Sequence, residues 1–360
     1  MNRNLNHNMS AGQIIGTMNG RQVFGLDIAK LIFQLHTVDM QTGEVSNIAL
    51  KRGQLLAHFI NRPQCVIGIE ACPSANYWAR EFERLGHKVL LIPAQSVRPF
   101  VTGNKTDATD ARGIWLAVQQ PGVKFVAVKS TAQQATLTLH RQRELMMKMR
   151  MMQTNALRGL LYEFGATFAK GKVALLSEVE TAIDSLSAQL PVMVQDSLRE
   201  QVLRIKALCE DIAKIEQRLG LVLKANPAMQ RILEIPGVGP LTATAAIATM
   251  GEARSFKSGR EFCAWLGLVP RQTGSGGKVR LGGISKRGDA YLRTLLVHGA
   301  RVVLTRAKEP SPWLTAIKSR RPTNVAIVAQ AAKTARIIWA LSAKEQAFER
   351  GHKSVRPVMA

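Results

Sequence analysis

The chain has 360 residues, and its 49 Lys and Arg against 25 Asp and Glu give a formal net charge of +24. This excess of positive charge goes beyond what solubility requires and predicts a polyanionic partner. An aromatic content of 5% argues against a surface that binds bases mainly by stacking. Electrostatic contact with a nucleic-acid backbone is therefore the better prediction.

The cysteines form no CxxC pair and the histidines stand apart from one another, which excludes a structural zinc motif and favours a reducing compartment. No apolar run has the length of a membrane span, so no membrane partner is expected. Residues 1–20 are polar and rich in Asn and Gly, and they are predicted to form a flexible tail rather than a signal peptide.

Residues 21–130 alternate short apolar runs with amphipathic segments, which predicts an α/β domain. The expected order is β-β-β-α-β-α-β-α, and the first three strands should form an antiparallel meander. The run 65–70 is almost continuously apolar, as in a buried central strand. The strands are predicted at 23–28, 31–38, 45–50, 65–70 and 88–92, and the helices at 54–60, at 73–85 and from 107 onward.

Four acids occupy key positions in this predicted order. Asp27 ends the first strand and Glu70 the fourth, while Asp107 and Asp110 start the last helix and, three residues apart, share one of its faces. Such acids can converge on hard cations, and two Mg²⁺ ions about 3.5–4 Å apart would support phosphoryl transfer. Two alternatives stay open, namely that the helical pair only complements the helix dipole and that Asp27 closes its strand at the surface.

Residues 131–225 are predicted to be helical. The first part is basic, with Arg141 and Arg143 as candidate nucleic-acid ligands, and its methionines are expected to serve packing. Farther on, apolar residues recur at heptad spacing, which is typical of a coiled coil; they are Leu198, Ile205, Ile212 and Leu219. These heptads fit either a dimer seam or a helical hairpin within one subunit.

Residues 226–345 are predicted to form a mainly helical C-terminal domain, followed by a basic tail at 346–360. The stretch 232–243, Ile-Leu-Glu-Ile-Pro-Gly-Val-Gly-Pro-Leu-Thr-Ala, matches a helix-hairpin-helix. In that motif Gly237 and Gly239 let backbone amides approach a phosphate at a helix N-terminus. The alternative is a glycine turn that merely joins two packed helices.

Residues 267–288 are rich in glycine and cations and are predicted to form a flexible phosphate-binding loop. One serine, Ser275, lies within a Gly-Ser-Gly-Gly turn and is a candidate nucleophile. Ser285 lies close by in a second glycine-rich turn and is the alternative. The candidate phosphate ligands in this stretch are Arg271, Lys278, Arg280, Lys286 and Arg287, to which Lys105 is added beside the acids.

Five motifs together resemble one family. They are Gly-Leu-Asp-Ile-Ala-Lys from Gly25, Gly-Ile-Glu-Ala from Gly68, Lys-Thr-Asp-Ala-Thr-Asp-Ala from Lys105, Ile-Pro-Gly-Val-Gly-Pro from Ile235, and Gly-Leu-Val-Pro-Arg followed by Gly-Ser-Gly from Gly267. In content and order they resemble the DEDD transposases of insertion-sequence family "one-ten", most closely the "eleven-eleven" subgroup, which are related to Piv-type DNA invertases. The resemblance extends over residues 22–339.

The resemblance implies an RNase H-like domain of the RuvC type, a coiled-coil segment and a C-terminal transposase domain that carries a serine. It places the acid tetrad on Asp27, Glu70, Asp107 and Asp110 and the serine on Ser275. It further implies a Mg²⁺-dependent DNA recombinase of the bacterial cytoplasm and nucleoid. This recombinase would be guided by a structured noncoding bridge RNA that pairs with donor and target DNA, and it would act as a homo-oligomer, a dimer or a tetramer.

Under this hypothesis the acids hold Mg²⁺ and Ser275 attacks the DNA to form a phosphoserine intermediate. A second hypothesis is a metal-dependent nuclease that resolves DNA junctions with water, where Ser275 only binds phosphate. A third is a basic RNA- and DNA-binding scaffold without catalytic activity. A covalent adduct between protein and DNA would separate the first hypothesis from the second, and any metal-dependent cleavage would exclude the third.

Overall fold

The computed structural model describes residues 21–39, 41–104 and 106–352. Its strands are β1 (Val23–Asp27), β2 (Ile32–Val38), β3 (Val45–Lys51), β4 (Val66–Glu70), β5 (Lys88–Ile92), β6 (Pro270–Ser275) and β7 (Lys278–Ile284). Its helices are α1 (Leu55–Ile60), α2 (Ala75–Arg84), α3 (Ala94–Val97), α4 (Asp107–Val118), α5 (Thr131–Tyr162), α6 (Lys172–Ser185), α7 (Val192–Lys224), α8 (Pro227–Arg231), α9 (Pro240–Met250), α10 (Gly259–Trp265), α11 (Ala290–Arg306), α12 (Pro312–Arg320) and α13 (Thr323–Lys344). Short 3-10 turns lie at Arg52–Gln54, Arg98–Phe100, Ile232–Glu234 and Ala253–Ser255.

The chain divides into two compact units, and each is assembled from separated stretches. Of the described residues, the first unit contains those up to 133 together with 250–265 and 335–344, and the second contains 134–249, 266–334 and 345–352. The segment predicted as a C-terminal domain, 226–345, is therefore shared between the two units. The predicted N-terminal tail lies outside the described residues, as do 353–360 of the predicted basic tail.

The first unit contains a five-stranded mixed sheet in the order β3-β2-β1-β4-β5. Strands β1, β2 and β3 pair antiparallel, and β1, β4 and β5 pair parallel. The predicted meander and order of elements are confirmed, with the four-residue helix α3 as an addition. This mixed sheet between helices is consistent with an RNase H-like fold.

Each face of the sheet buries its own apolar cluster, as the period of two along a strand requires. One face packs Phe24, Leu26, Ile67 and Ile69 against residues of α1 and α2. The opposite face packs Val23, Val66 and residues of β5 against α4. Side chains at alternate positions of β1 and β4 therefore point to opposite sides, and this alternation decides where the two strand acids lie.

In the second unit, one apolar face of α7 packs against other helices of the same chain. Its first half packs Leu198, Val202 and Ile205 with α6 and with Leu157 and Leu161 at the end of α5. The heptad positions Ile212 and Leu219 are buried as well. Of the two interpretations, a dimer seam and a helical hairpin, the packing of Leu198 and Ile205 agrees with the hairpin within one subunit.

The predicted flexible loop at 267–288 is wrong over most of its length, because β6 and β7 pair there as an antiparallel hairpin. The two-residue connection consists of Gly276 and Gly277 at φ +56° and +78°. Two positive φ values suit the type I′ turn, whose twist matches that of the flanking strands. The C-terminal region is thus mainly helical but also contains a two-stranded sheet.

Among the described residues, one helix, α13, is long and apolar enough to cross a membrane by length and composition alone. Core helices of globular proteins satisfy the same criterion. In α13 the residues Ala326, Ile327, Ala331, Ala335 and Ile338 are buried within the structure. These positions give α13 one face that packs inside the structure.

Candidate active site

Asp27 and Glu70 lie side by side at one edge of the sheet. Strands β1 and β4 are parallel neighbours, with Leu26 opposite Ile69, so both acids end their strands at the same edge. Alternation from Gly25 and Gly68 puts both carboxylates on the sheet face that α4 covers. Both residues are half-buried and have interactions with other groups.

A glycine pair allows α4 to lie directly on this face. Gly25 and Gly68 are opposite each other in the register of β1 and β4. A Cβ on Gly25 would lie 2.2 Å from the carbonyl oxygen of Ala111, and one on Gly68 would lie 2.2 Å from Cγ2 of Val118. The backbone of α4 at Gly25, and its side chains at Gly68, thus occupy the space that larger residues in the strands would fill.

The direction of α4 brings its first turn toward the two strand acids. Ala111 lies over Gly25, and the indole nitrogen of Trp115, one turn later, donates to the carbonyl oxygen of Val23 at 3.1 Å. The helix therefore runs toward the start of β1 as it proceeds, so Asp107 and Asp110 lie on the side where β1 ends. The start of α4 and the ends of β1 and β4 therefore lie on the same side of the sheet, and a shared site for the four acids stays a prediction.

A threonine pair fixes where α4 begins. The amide of Thr109 donates to Oγ1 of Thr106 at 3.2 Å, and the amide of Thr106 donates to Oγ1 of Thr109 at 2.9 Å. This reciprocal cap satisfies amides that the first turn leaves open. Asp107 and Asp110 follow immediately, at a helix end that also favours negative charge. Lys105 lies outside the described residues, so its role stays a prediction.

Cys72 is a neighbour of the strand acids that the sequence interpretation missed. Burial raises the pKa of the Cys72 thiol, and the negative charges of Glu70 and then Asp27 raise it further. The signal in the sequence is weak, since Cys72 simply follows Glu70 by two residues. A neutral thiol beside two carboxylates adds no charge to the cluster.

Oxygen ligands of this kind suit Mg²⁺, so the chemistry of the donor set fits the predicted ion. The spacing does not complete such a site, because no three His, Cys, Asp or Glu side chains among the described residues come together in a way that could hold a metal ion. A common metal site for the four acids therefore stays a prediction.

Ser275 occupies the tip of the hairpin in the second unit, the last residue of β6 before the glycine turn. It pairs with Lys278 across the hairpin, and Thr273 pairs with Arg280. Cross-strand partners share a face of the sheet, so Ser275, Lys278 and Arg280 lie on the same side. All three are exposed, and a depression of about 450 Å³ runs along the hairpin beside Ser275.

Ser285 differs from Ser275 in access. The Ser285 hydroxyl is buried and has no hydrogen-bond partner among the described residues, while its amide donates to the carbonyl oxygen of Val269 at 2.9 Å. A nucleophile must reach its substrate, so accessibility favours Ser275. The cations Arg271, Lys286 and Arg287 are exposed near the base of the hairpin.

The two glycines of the predicted helix-hairpin-helix differ in their surroundings. Gly237 has φ +83°, and a Cβ there would lie 2.7 Å from the carbonyl oxygen of Gly299 in α11. Gly239, directly before α9, has no neighbouring atom within 4 Å of that position. Gly237 thus serves the packing of backbone on backbone, and Gly239 is the one with room for a phosphate.

The two arginines predicted as nucleic-acid ligands on α5 also differ. Arg141 is exposed. The Arg143 side chain is only 14% exposed and donates from Nε to Oε1 of Glu216 at 2.7 Å. Because Glu216 already neutralises part of its charge, Arg143 is a weaker candidate for a phosphate contact than Arg141.

Arg143 belongs to a buried polar chain that ties α5 to α9 and α11. His140 contacts the Tyr291 hydroxyl through Nδ1 and the Thr244 hydroxyl through Nε2, both at 3.0 Å. The Thr244 hydroxyl donates to the carbonyl oxygen of Pro240 at 2.8 Å, so its oxygen accepts from His140. Burial lowers the pKa of His140 to about 4, and Arg143 contributes in the same direction.

Comparisons with known proteins agree with these observations. Residues 229–314 match the model of the transposase IS116/IS110/IS902 family. A probable family 20 transposase of Pseudomonas aeruginosa is 44% identical over 332 residues, which cover 91% of this chain and 98% of the relative. The IS1111A transposase of Coxiella burnetii is 38% identical over 339 residues, 93% of each chain, and the IS1328 transposase of Yersinia enterocolitica is 36% identical over 332 residues, 91% and 98%.

These relatives are transposases, and two of them are named for the insertion sequences IS1111A and IS1328. The chain belongs to the IS116/IS110/IS902 transposase family.

Proposed function

We propose that this chain is the RNA-guided transposase of its own insertion sequence, which cuts and rejoins DNA through a phosphoserine intermediate. The proposal rests on one observation, that this member of the transposase family contains both an acidic set and an exposed serine. Two acids end β1 and β4 and two lie in the first turn of α4, and an exposed serine lies among cations at the tip of the β6–β7 hairpin.

The serine half accounts for strand exchange without loss of bond energy. The Ser275 hydroxyl oxygen forms a bond to the scissile phosphorus as one phosphorus–oxygen ester bond of the DNA breaks. The serine gives up its proton, and the released DNA hydroxyl oxygen takes one up. Since one phosphate ester replaces another, the reverse attack by a new DNA end rejoins the strand.

Lys278 and Arg280 are suited to hold the phosphate during this exchange. They lie on the same hairpin face as Ser275, and their charges oppose the negative charge that builds up on the phosphate oxygens. Arg271, Lys286 and Arg287 add positive charge near the hairpin base. These are the residues we assign to DNA binding, together with Arg141 and the backbone at Gly239, which has open space beside it.

Asp27, Glu70, Asp107 and Asp110 are the proposed ligands of Mg²⁺. The ion would supply electrostatic stabilisation of the pentacoordinate phosphate when bound. The present spacing of the carboxylates implies that binding requires a rearrangement of their side chains. Thermal stabilisation by Mg²⁺ that is lost in Asp110→Asn, measured without DNA, would support this assignment independently of activity.

The guide RNA is proposed on electrostatic grounds and on the family resemblance. A net charge of +24 with few aromatics suits a protein that grips duplex backbones and leaves sequence reading to base pairing. We further propose a homo-oligomer that works in the bacterial cytoplasm. A junction-resolving nuclease that uses water remains the second candidate, because the acid cluster alone would be sufficient for it.

One assay separates these functions. Purified protein is incubated with Mg²⁺, labelled donor and target DNA and the noncoding RNA of the element, and covalent protein–DNA adducts are trapped by denaturation. We expect an adduct in wild type and none in Ser275→Ala, a loss of at least about a thousandfold. Ser285→Ala is the matched control and should retain the adduct, because its hydroxyl is buried.

Three outcomes would contradict parts of the proposal. Cleavage without an adduct in wild type would favour the nuclease. Recombination that persists after all RNA has been digested would exclude the guide RNA. An adduct that survives in Ser275→Ala would place the nucleophile elsewhere.

A further inference from the structure

The β6–β7 hairpin has two faces of different chemistry. Strand register puts Thr273, Ser275, Lys278 and Arg280 on one face, and Gln272, Val279 and Leu281 on the other. Val279 is 58% exposed and Leu281 is 69% exposed. The hairpin thus presents a cationic face with the serine and, on its reverse, an apolar face.

The apolar face is unusual in its setting. Single exposed apolar side chains are common and need no explanation. Here two of them lie two residues apart on one face of an isolated two-stranded sheet, and every residue from Pro270 to Gly283 is exposed. A two-stranded hairpin is marginal by itself, so contact of this apolar face with a partner would stabilise it.

The opposite face indicates what that contact is. If Lys278 and Arg280 bind the backbone of the strand that Ser275 attacks, the reverse face points away from that backbone. A hairpin inserted at its tip then has one strand of the nucleic acid on each side. Aliphatic side chains at such a position can pack against base faces, as apolar wedges do when they unstack a base step.

We propose that the β6–β7 hairpin is a strand-separating wedge in duplex DNA. Its cationic face holds the backbone of the attacked strand, and Val279 and Leu281 pack against the bases of the opened step on the other side. This inference rests on the proposed function, since it places the wedge at the phosphate that Ser275 attacks. It gives the hairpin a second task, to expose unpaired DNA beside the cleavage position.

The test measures base unstacking without chemistry. The probe is a DNA duplex that carries the end of the element and its flank, with 2-aminopurine placed in turn at each step. Binding is measured in EDTA together with the element's RNA, and the rise in 2-aminopurine fluorescence reports unstacking. The test variant is Val279→Ala with Leu281→Ala.

The matched control is Val302→Ala with Leu221→Ala. These residues are 52% and 62% exposed, on α11 and α7, so the same two residue types are truncated on helices of the same unit. Thermal unfolding of both double variants checks that the fold is retained. Lys278→Ala with Arg280→Ala forms a third arm, which should weaken binding and its salt dependence.

In wild type and in the control double variant, we expect the 2-aminopurine fluorescence to rise at one base step. In Val279→Ala with Leu281→Ala, this rise should be lost at equal DNA occupancy. In Mg²⁺ the same variant should form the adduct about tenfold more slowly on paired duplex, and a mismatch at the step should restore the rate. An equal rise in all proteins, or no rise in wild type, would overturn the wedge. If the fluorescence result holds while no protein forms an adduct, the wedge stands and the proposed chemistry fails.

Discussion

The two halves of the candidate site both depend on glycine, but for different physical reasons. In the sheet, Gly25 and Gly68 supply space, because α4 lies on the backbone at both positions. In the hairpin, Gly276 and Gly277 supply conformation, because both have positive φ and open space around them. The acid half is therefore positioned by a packed core, and the serine half by a local turn.

This difference determines how each half should respond to change. A residue fixed by packing is coupled to the whole unit. A substitution in the residues that pack against it should therefore lower the global free energy of unfolding. A residue at the tip of an exposed hairpin is coupled to little else, so a change there should remain local. The following predictions test this contrast.

The largest effect is expected for Gly25→Val. A Cβ at Gly25 would lie 2.2 Å from the carbonyl oxygen of Ala111 and 2.6 Å from the amide nitrogen of Trp115. Both are backbone atoms of α4, so neither can move without shifting the helix. We expect a loss of about 4 kcal/mol in the free energy of unfolding, measured by denaturant titration, or a failure to fold.

Gly53→Ala is the control for this prediction. Gly53 belongs to the same unit, and a Cβ there meets no atom within 4 Å. Its free energy of unfolding should change by less than about 1 kcal/mol. If Gly25→Val proved as stable as Gly53→Ala, the close contact of α4 with β1 would be wrong, and with it the placement of Asp107 and Asp110 beside the strand acids.

The same contrast explains what the sequence could predict. The strands of the sheet were predictable because their apolar runs and turn residues follow the core that they build, and Asp27 and Glu70 could be placed from strand ends alone. The approach of α4 to Gly25 and Gly68 was not predictable, because a glycine in a strand does not reveal what lies on it. Cys72 was missed for a similar reason.

The hairpin was missed although the sequence contains its signal. Lys278-Val279-Arg280-Leu281 alternates between polar and apolar residues directly after a Gly-Gly pair, which is the pattern of a hairpin strand. The many glycines of the surrounding stretch favoured a loop instead. The two-unit division was beyond sequence reasoning, because it depends on residues 250–265 and 335–344 packing with the first unit, and such long-range contacts leave no local pattern.

A smaller loss of stability is expected when the pH is lowered, because of the buried His140. Burial holds the folded pKa of His140 at about 4, below the ordinary 6.5, so the unfolded chain binds a proton first as the pH falls. Stability is therefore present above pH about 6.5 and is lost as the pH falls toward about 4. From pH about 7 to about 5 the loss due to His140 should be about 2 kcal/mol.

The measurement is the free energy of unfolding at both pH values for wild type and for His140→Gln, which cannot titrate. Other groups, including His58, whose pKa burial also lowers, contribute equally to both proteins. The difference between the two pH dependences isolates His140. Equal pH dependences would mean that His140 is not buried in its neutral form between Tyr291 and Thr244.

The smallest effect is expected at the hairpin turn, for Gly276→Val. Gly276 has φ +56° and no atom near its Cβ position, so the cost is conformational and of the order of 1 kcal/mol. The amide of Lys278, which pairs with Ser275 across the hairpin, should lose protection from hydrogen exchange by about fivefold.

Gly276→Asn is the control, because Asn-Gly is a preferred pair for a type I′ turn, and its protection should match wild type. The global free energy of unfolding should stay unchanged in both variants, since the hairpin buries almost nothing. A global loss in Gly276→Val comparable to that of Gly25→Val would show that the hairpin is integrated into the core of its unit, and the contrast between a packed half and a local half would then fail.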